Sequence, residues 1–195
     1  MKKLLLSLLL IGLCTSMTFA DIVFDYTISD SWVGGIFQLN SESLLITGAG
    51  ADEVRTNDES YIEVQNTFPL EEFVGGINLL NLNDFSTMSY YDGEMNLFRI
   101  MGDAEATFSG GRIDYISSYQ DSDMTKHITF VADLDSIDLT GNLLTGDWLS
   151  GGGSFSITLQ DQTGYDSVYS NINFIPEPAT LLLLALGGLA LRKRR

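Results

Sequence analysis

The 195-residue chain has one cysteine, Cys14, one histidine, His127, and ten lysines and arginines against 26 acids. A lone thiol permits no intrachain disulfide, and with a lone imidazole it leaves out the usual zinc and copper ligand sets. A Ser-His-Asp relay needs its histidine between a nucleophile and a carboxylate, and nothing beside His127 supplies that pattern. The expectation for His127 is a strand residue with a partly exposed ring. Between residues 21 and 175 the bases shrink to Arg55, Arg99, Arg112 and Lys126, which against 25 acids give a formal charge of −21, sharper than the −16 of the whole chain. Nucleic acid and anionic lipid are excluded as partners on that ground, because each phosphate would meet repulsion instead of releasing counterions. Cations and neutral or basic polymers fit better. No helical period is found in the same span, so the fold must be sought among extended patterns.

The two ends are of different composition. Lys2 and Lys3 precede the apolar run Leu4 to Leu13, after which small and polar residues lead to Ala20. This is the three-part pattern of a secretory signal peptide, with cleavage expected after Ala20 by a signal peptidase and Asp21 as the new N-terminus. Leu13 before Cys14 excludes the lipoprotein variant, and the run falls short of the ~20 residues of a spanning helix. Cys14 leaves with this segment. At the other end Ile175-Pro176-Glu177-Pro178-Ala179-Thr180 opens into the apolar stretch Leu181 to Leu191 and closes on Arg192-Lys193-Arg194-Arg195. The prolines end the preceding strand, the stretch is apolar on every face, and the basic stop holds its end on the cytoplasmic side. A hydrophobic C-terminal helix is expected there, serving as a transient anchor, since 179–191 would be only ~20 Å long against a ~30 Å hydrocarbon core.

Pro176-Glu177-Pro178, the short apolar segment and the Arg-rich end together resemble the PEP-CTERM family of sorting signals, over about the last twenty residues. The resemblance implies handling by an exosortase and delivery to the envelope, cell surface or exopolysaccharide of a Gram-negative-type bacterium. It implies nothing about the central fold. The expected organisation is thus a signal peptide at 1–20, an exported β domain at 21–175 and a sorting and anchor segment at 176–195.

Within the domain, Ile22-Val23-Phe24-Asp25-Tyr26-Thr27-Ile28 and Phe155-Ser156-Ile157-Thr158-Leu159 alternate with period two, and glycine- and Asn/Asp-rich joints separate such stretches. The fold is expected to be all-β. A shift of eighteen residues aligns Asn57, Gly75, Gly93 and Gly111 as corners. It also aligns Tyr61, Leu79, Leu97 and Tyr115; Ile62, Leu80, Phe98 and Ile116; and Val64, Leu82, Ile100 and Ser118. Ser43 to Ile46 extends the pattern backward, and His127 to Phe130 resumes it after a short insertion. A unit of this length cannot bury its own apolar face, so copies must stack, as in a short parallel β-solenoid. The end regions Asp21 to Asn40 and Gly141 to Ile175 are expected to act as non-repeating caps. A β-sandwich, whose strands recur at half this interval, is the alternative.

Two acidic runs carry candidate chemistry. Asp121-Ser122-Asp123 and Asp133-Leu134-Asp135-Ser136-Ile137-Asp138 gather hard oxygen ligands in expected loops, which makes Asp121, Asp123, Asp133, Asp135 and Asp138 weak candidates for calcium. Neither run is an EF-hand loop, since Ile137 stands at a ligand position and no glycine follows. No other cofactor and no catalytic residue is indicated. Two facing carboxylates would suffice for a glycosidase, but 25 acids single out no pair. Tyr90-Tyr91 and Trp148 are candidates for stacking on sugar rings, although the eighteen-residue shift pairs Tyr90 with Phe108 and favours the core. The leading expectation is a structural or adhesive module of the cell surface or polysaccharide matrix. The alternative is a carbohydrate-active enzyme or polysaccharide-binding module on a β-helical scaffold.

Overall fold

A computed structural model describes residues 23–69, 76–120, 127–149 and 151–176. Its strands are β1 (Tyr26–Ser29), β2 (Trp32–Asn40), β3 (Ser43–Asn57), β4 (Tyr61–Thr67), β5 (Ile77–Leu82), β6 (Thr87–Tyr90), β7 (Glu94–Met101), β8 (Glu105–Phe108), β9 (Arg112–Tyr119), β10 (Ile128–Val131), β11 (Asp138–Thr140), β12 (Leu143–Asp147), β13 (Ser154–Gln160) and β14 (Ile172–Ile175). Among the described residues there is no α-helix, only 3-10 turns at Leu134–Ser136 and Val168–Asn171.

The strands wind into a β-solenoid of about five turns with two faces. On the first face β1, the start of β3, β4, β6, β8, β10 and β14 stack in parallel. On the second face the parallel stack is β2, the end of β3, β5, β7, β9 and β13. β3 turns the corner unbroken and belongs to both. Each coil therefore satisfies the backbone groups of the next, the role that disulfides cannot play here.

Alternation decides what is inside. Leu44, Ile62, Met88, Ala106 and Ile128 form one interior column of the first face, and Val54, Leu80, Phe98 and Ile116 one of the second. All are at most 2% exposed. The faces meet through aromatic rings: Phe98 of the second lies 5.1 Å from Phe108 of the first, and Phe108 lies 5.6 Å from Tyr90 and 5.5 Å from Phe130. Full burial of each such side chain contributes roughly 1.5–3 kcal/mol, so a stack of large aromatics can carry a domain without cross-links.

The repeat is real but its register shifts, by eight residues early in the stack and by four between Ala106 and Ile128. Leu44 pairs with Ile62, and Leu80 with Phe98 and then Ile116, each eighteen residues on. Between these blocks, Val64 pairs with Tyr90 and Val54 with Leu80, a step of twenty-six. The connection from Thr67 to Ile77 is longer by those eight residues. The expected columns that join Tyr61 to Leu79 and Ile62 to Leu80 thus cross from one face to the other. Tyr61 and Ile62 stack on Thr87 and Met88, whereas Leu79 and Leu80 stack on Glu53 and Val54. Leu79, Leu97 and Tyr115 also prove to be an outer column, with Tyr115 38% exposed.

Two rows of corners have left-handed backbone. Gly93 (φ 110) and Gly111 (φ 78) lead into the second face, and Asp58 (φ 53), Asp84 (φ 57) and Gly102 (φ 69) lead back to the first. Asn57, expected in the glycine column, is the last residue of β3, and its neighbour Asp58 makes the turn in the opposite row. At Gly111 a Cβ would stand 2.6 Å from the Tyr90 ring and 2.7 Å from the Gly93 carbonyl oxygen, so the corner needs both the conformation and the missing side chain.

The ends differ. Residues 26–40 continue the eighteen-residue step, with Ile28 on Ile46 and Trp32 on Gly50, so this expected cap is itself a coil. The C-terminal end departs from the pattern: β11, β12 and β13 are antiparallel neighbours before β13 rejoins β9 and β14 rejoins β10. Trp148 and Phe155, 4.5 Å apart, pack with Phe130 and Phe174 to close this end.

Candidate functional site

The outer columns of the second face carry a cluster of polar side chains. One residue beyond the interior column Val54, Leu80 and Phe98 stand Arg55, Asn81 and Arg99, in register on β3, β5 and β7. Together with Asn57, Asn83, Asp84, Met101 and Gly102 they line a cleft of about 400 Å³ at the corner where the coil turns toward the first face. The strands fix the arginines and Asn81, while the Asp84 and Gly102 corners shape the rim.

The cleft is internally braced. Glu53 holds Arg55 at 2.7 Å and also accepts from the Asn81 amide at 2.8 Å. Arg99 Nη1 donates to Asn81 Oδ1 at 3.4 Å, and its guanidinium carbon lies 5.8 Å from the centre of the Tyr119 ring, which restrains it by cation–π attraction. Asn83 Nδ2 donates to the Thr56 carbonyl at 2.7 Å, and Asp84 Oδ2 accepts from the Asp58 N–H at 3.1 Å. Arg99 Nε and Asn83 Oδ1 are buried with no hydrogen-bond partner. The arrangement offers donors and acceptors side by side, with two cations set against two acids. The sequence signal for it was thin. Arg55 and Arg99 are two of only four bases in the domain, but they align only once the eight-residue shift is known.

Asp133, Asp135 and Asp138 have local partners. Asp133 Oδ1 caps the 3-10 turn by accepting from the Asp135 N–H at 3.1 Å, and Asp138 Oδ2 accepts from Thr140 at 3.0 Å. Among the described residues no group of three or more His, Cys, Asp or Glu side chains is placed to hold a metal ion. Asp121, Asp123, Ala20, Glu177, Pro178 and Arg192 to Arg195 lie outside the described residues, as do the signal segment and the apolar stretch. No helix among the described residues is long and apolar enough to cross a membrane. Pro176 follows β14 and lines a cleft of about 250 Å³ with Asp133, Leu134 and Asp135.

Two expectations for single residues are corrected. Trp148 is 4% exposed and its Nε1 donates to the Gly111 carbonyl at 2.9 Å, so it is a core residue with a satisfied N–H and no sugar platform. His127 is buried just before β10, its carbonyl accepting from Ala106 at 2.8 Å, because the coil closes over it. Tyr90 is buried beside Phe108 as its register foretold, while Tyr91 is 49% exposed.

Residues 174–195 match the PEP-CTERM protein-sorting motif, the segment that the proline pair and basic end had marked. The motif indicates an exported, envelope-associated protein that is sorted and processed by an exosortase. No curated protein and no solved structure matches the chain.

Proposed function

We propose that the exported domain is a non-catalytic structural or adhesive module of the cell surface or polysaccharide matrix, released to that place through its tail. The observation that carries this reading is the make-up of the second-face cleft. Arginines and asparagines line it with Asp84 as its one acid, whereas acid–base cleavage of a glycosidic bond calls on two carboxylates across the substrate. The formal charge of −21 between residues 21 and 175 keeps the module soluble and away from phosphate polymers. In this reading Pro176, Glu177 and Pro178 are the recognition element, Leu181 to Leu191 anchors the chain in the membrane until processing, and Arg192 to Arg195 hold its end in the cytoplasm.

Two measurements test the proposal. Replacing Pro176 and Pro178 with alanine is expected to leave the chain in the membrane fraction, and unchanged delivery would remove the sorting role. Incubation with a panel of polysaccharides is expected to release nothing; an oligosaccharide or unsaturated product would make the domain an enzyme.

A further inference from the structure

We infer that the cleft between Arg55, Arg99 and Asp84 is a binding site for an uncharged, hydroxyl-rich sugar unit, which deepens the module reading above and rests on it. Size permits this, since about 400 Å³ lies within the range of small-ligand sites. Charge selects it. Arg55 is neutralised by Glu53 at 2.7 Å, and Arg99 shares the cleft with Asp84, so the formal charges around it sum to zero and give no net attraction for an anion. The surrounding −21 would further repel an acidic polymer.

The unpartnered atoms point the same way. Arg99 Nε, a donor, and Asn83 Oδ1, an acceptor, are both buried and unsatisfied in residues of the same cleft, so a ligand gains them by shifting those two side chains. A carboxylate could meet only the first, and an ammonium only the second. A hydroxyl accepts and donates at once, and a sugar offers several. Asn57 adds a mixed donor and acceptor, and Met101 supplies an apolar patch for ring C–H groups. Strand register sets the spacing of Arg55, Asn81 and Arg99 at ~4.8 Å per coil, so the polar ladder is rigid before any ligand arrives.

The test is calorimetric titration of the full chain with cellohexaose, laminarihexaose and maltohexaose, and with polygalacturonate as the charged counterpart. Saturable binding of at least one neutral hexaose is expected, with no binding of polygalacturonate. Arg99→Gln and Asn83→Ala should each weaken that binding about tenfold, the loss of one or two hydrogen bonds, at unchanged circular dichroism. Arg112→Gln, on the same face but outside the cleft, should leave it unaltered. Binding of none of the neutral hexaoses, wild-type affinity in both cleft variants, or preference for polygalacturonate would overturn the inference. Failure of the titration in a chain found in the matrix fraction sinks the cleft alone, whereas hexaose cleavage by the same sample sinks the non-catalytic reading and leaves the cleft as a sugar site.

Discussion

Phe98 and Arg99 are neighbours in sequence and opposites in role. The first lies in an interior column with Leu80 and Ile116; the second lies in an outward-facing column with Asn81 and Ser117, which are themselves covered. Inside, the coils repeat apolar chemistry, because each layer must fit the one before it, until Ser118 follows Leu82 and Ile100 and meets the buried Asn171. Outside, position by position, the coils differ. A solenoid thus separates stability from function by one step of the β alternation, and residues one bond apart along the chain can be altered with unrelated consequences.

The sharpest way to break this contrast is at its inner half. Phe98→Ala removes a ring packed 5.1 Å from Phe108 and is expected to cost about 3–5 kcal/mol, read as a fall in the urea midpoint, while Arg99→Gln should cost below about 1 kcal/mol. Equal costs would deny the separation. Gly111→Ala comes next, because its Cβ would stand 2.6 Å from the Tyr90 ring in a left-handed corner; a loss of about 3 kcal/mol is expected in the same assay.

An outer acid with a structural task sharpens the comparison. Asp133→Ala should lose about 1 kcal/mol of stability through its turn cap, and the loss in melting temperature should be the same with calcium or with chelator. The interior has its own exception in Tyr90, whose hydroxyl is buried without a partner and whose ionisation is pushed up, first by burial and then by Asp92 and Glu94. Tyr90→Phe is therefore expected to be neutral or stabilising by up to about 1 kcal/mol in thermal unfolding.

The smallest effect belongs to Asp25, whose carboxylate accepts from the N–H and hydroxyl of Ser43, both at 2.8 Å, and clips the first coil to the second. These bonds hold its carboxyl below the ordinary 3.8. A lowered folded value means that the contribution is present above the unfolded value and is lost as pH falls through the folded one. Asp25→Asn should lower the melting temperature slightly at pH 7 and not at all well below pH 3.8.

Much of this was legible from residue order. The Gly93 and Gly111 corners and the pairing of Tyr90 with Phe108 follow from the eighteen-residue step, and the resumption at Ile128 from the alternation that returns after a short insertion, because identical packing demands write identical columns. The extra eight residues between Thr67 and Ile77 were not legible. Leu79 and Leu80 are both apolar, and so are Ile62 and Val64, so a false alignment across the faces looks as good as the true one. For the same reason the cleft was hidden: Arg55 and Arg99 share a column only when the step from Val54 to Leu80 is counted as twenty-six. The antiparallel end around Trp148 lacks any repeat, and its burial comes from contacts distant in sequence, such as the carbonyl of Gly111. The tail was read most directly, since its chemistry is contiguous.

The register itself is open to a direct test by paired cysteines in a Cys14→Ser background. Glu63 and Ser89 are outward neighbours on adjacent coils, twenty-six residues apart, at the ~4.8 Å strand spacing that a cross-link can bridge. Tyr61 and Leu79, eighteen apart, lie on opposite faces. Under mild oxidation the Glu63→Cys/Ser89→Cys chain should cross-link when folded and not in urea, and the Tyr61→Cys/Leu79→Cys chain should not; cross-linking of the second pair in place of the first would contradict the two-faced coil on which both core and cleft depend.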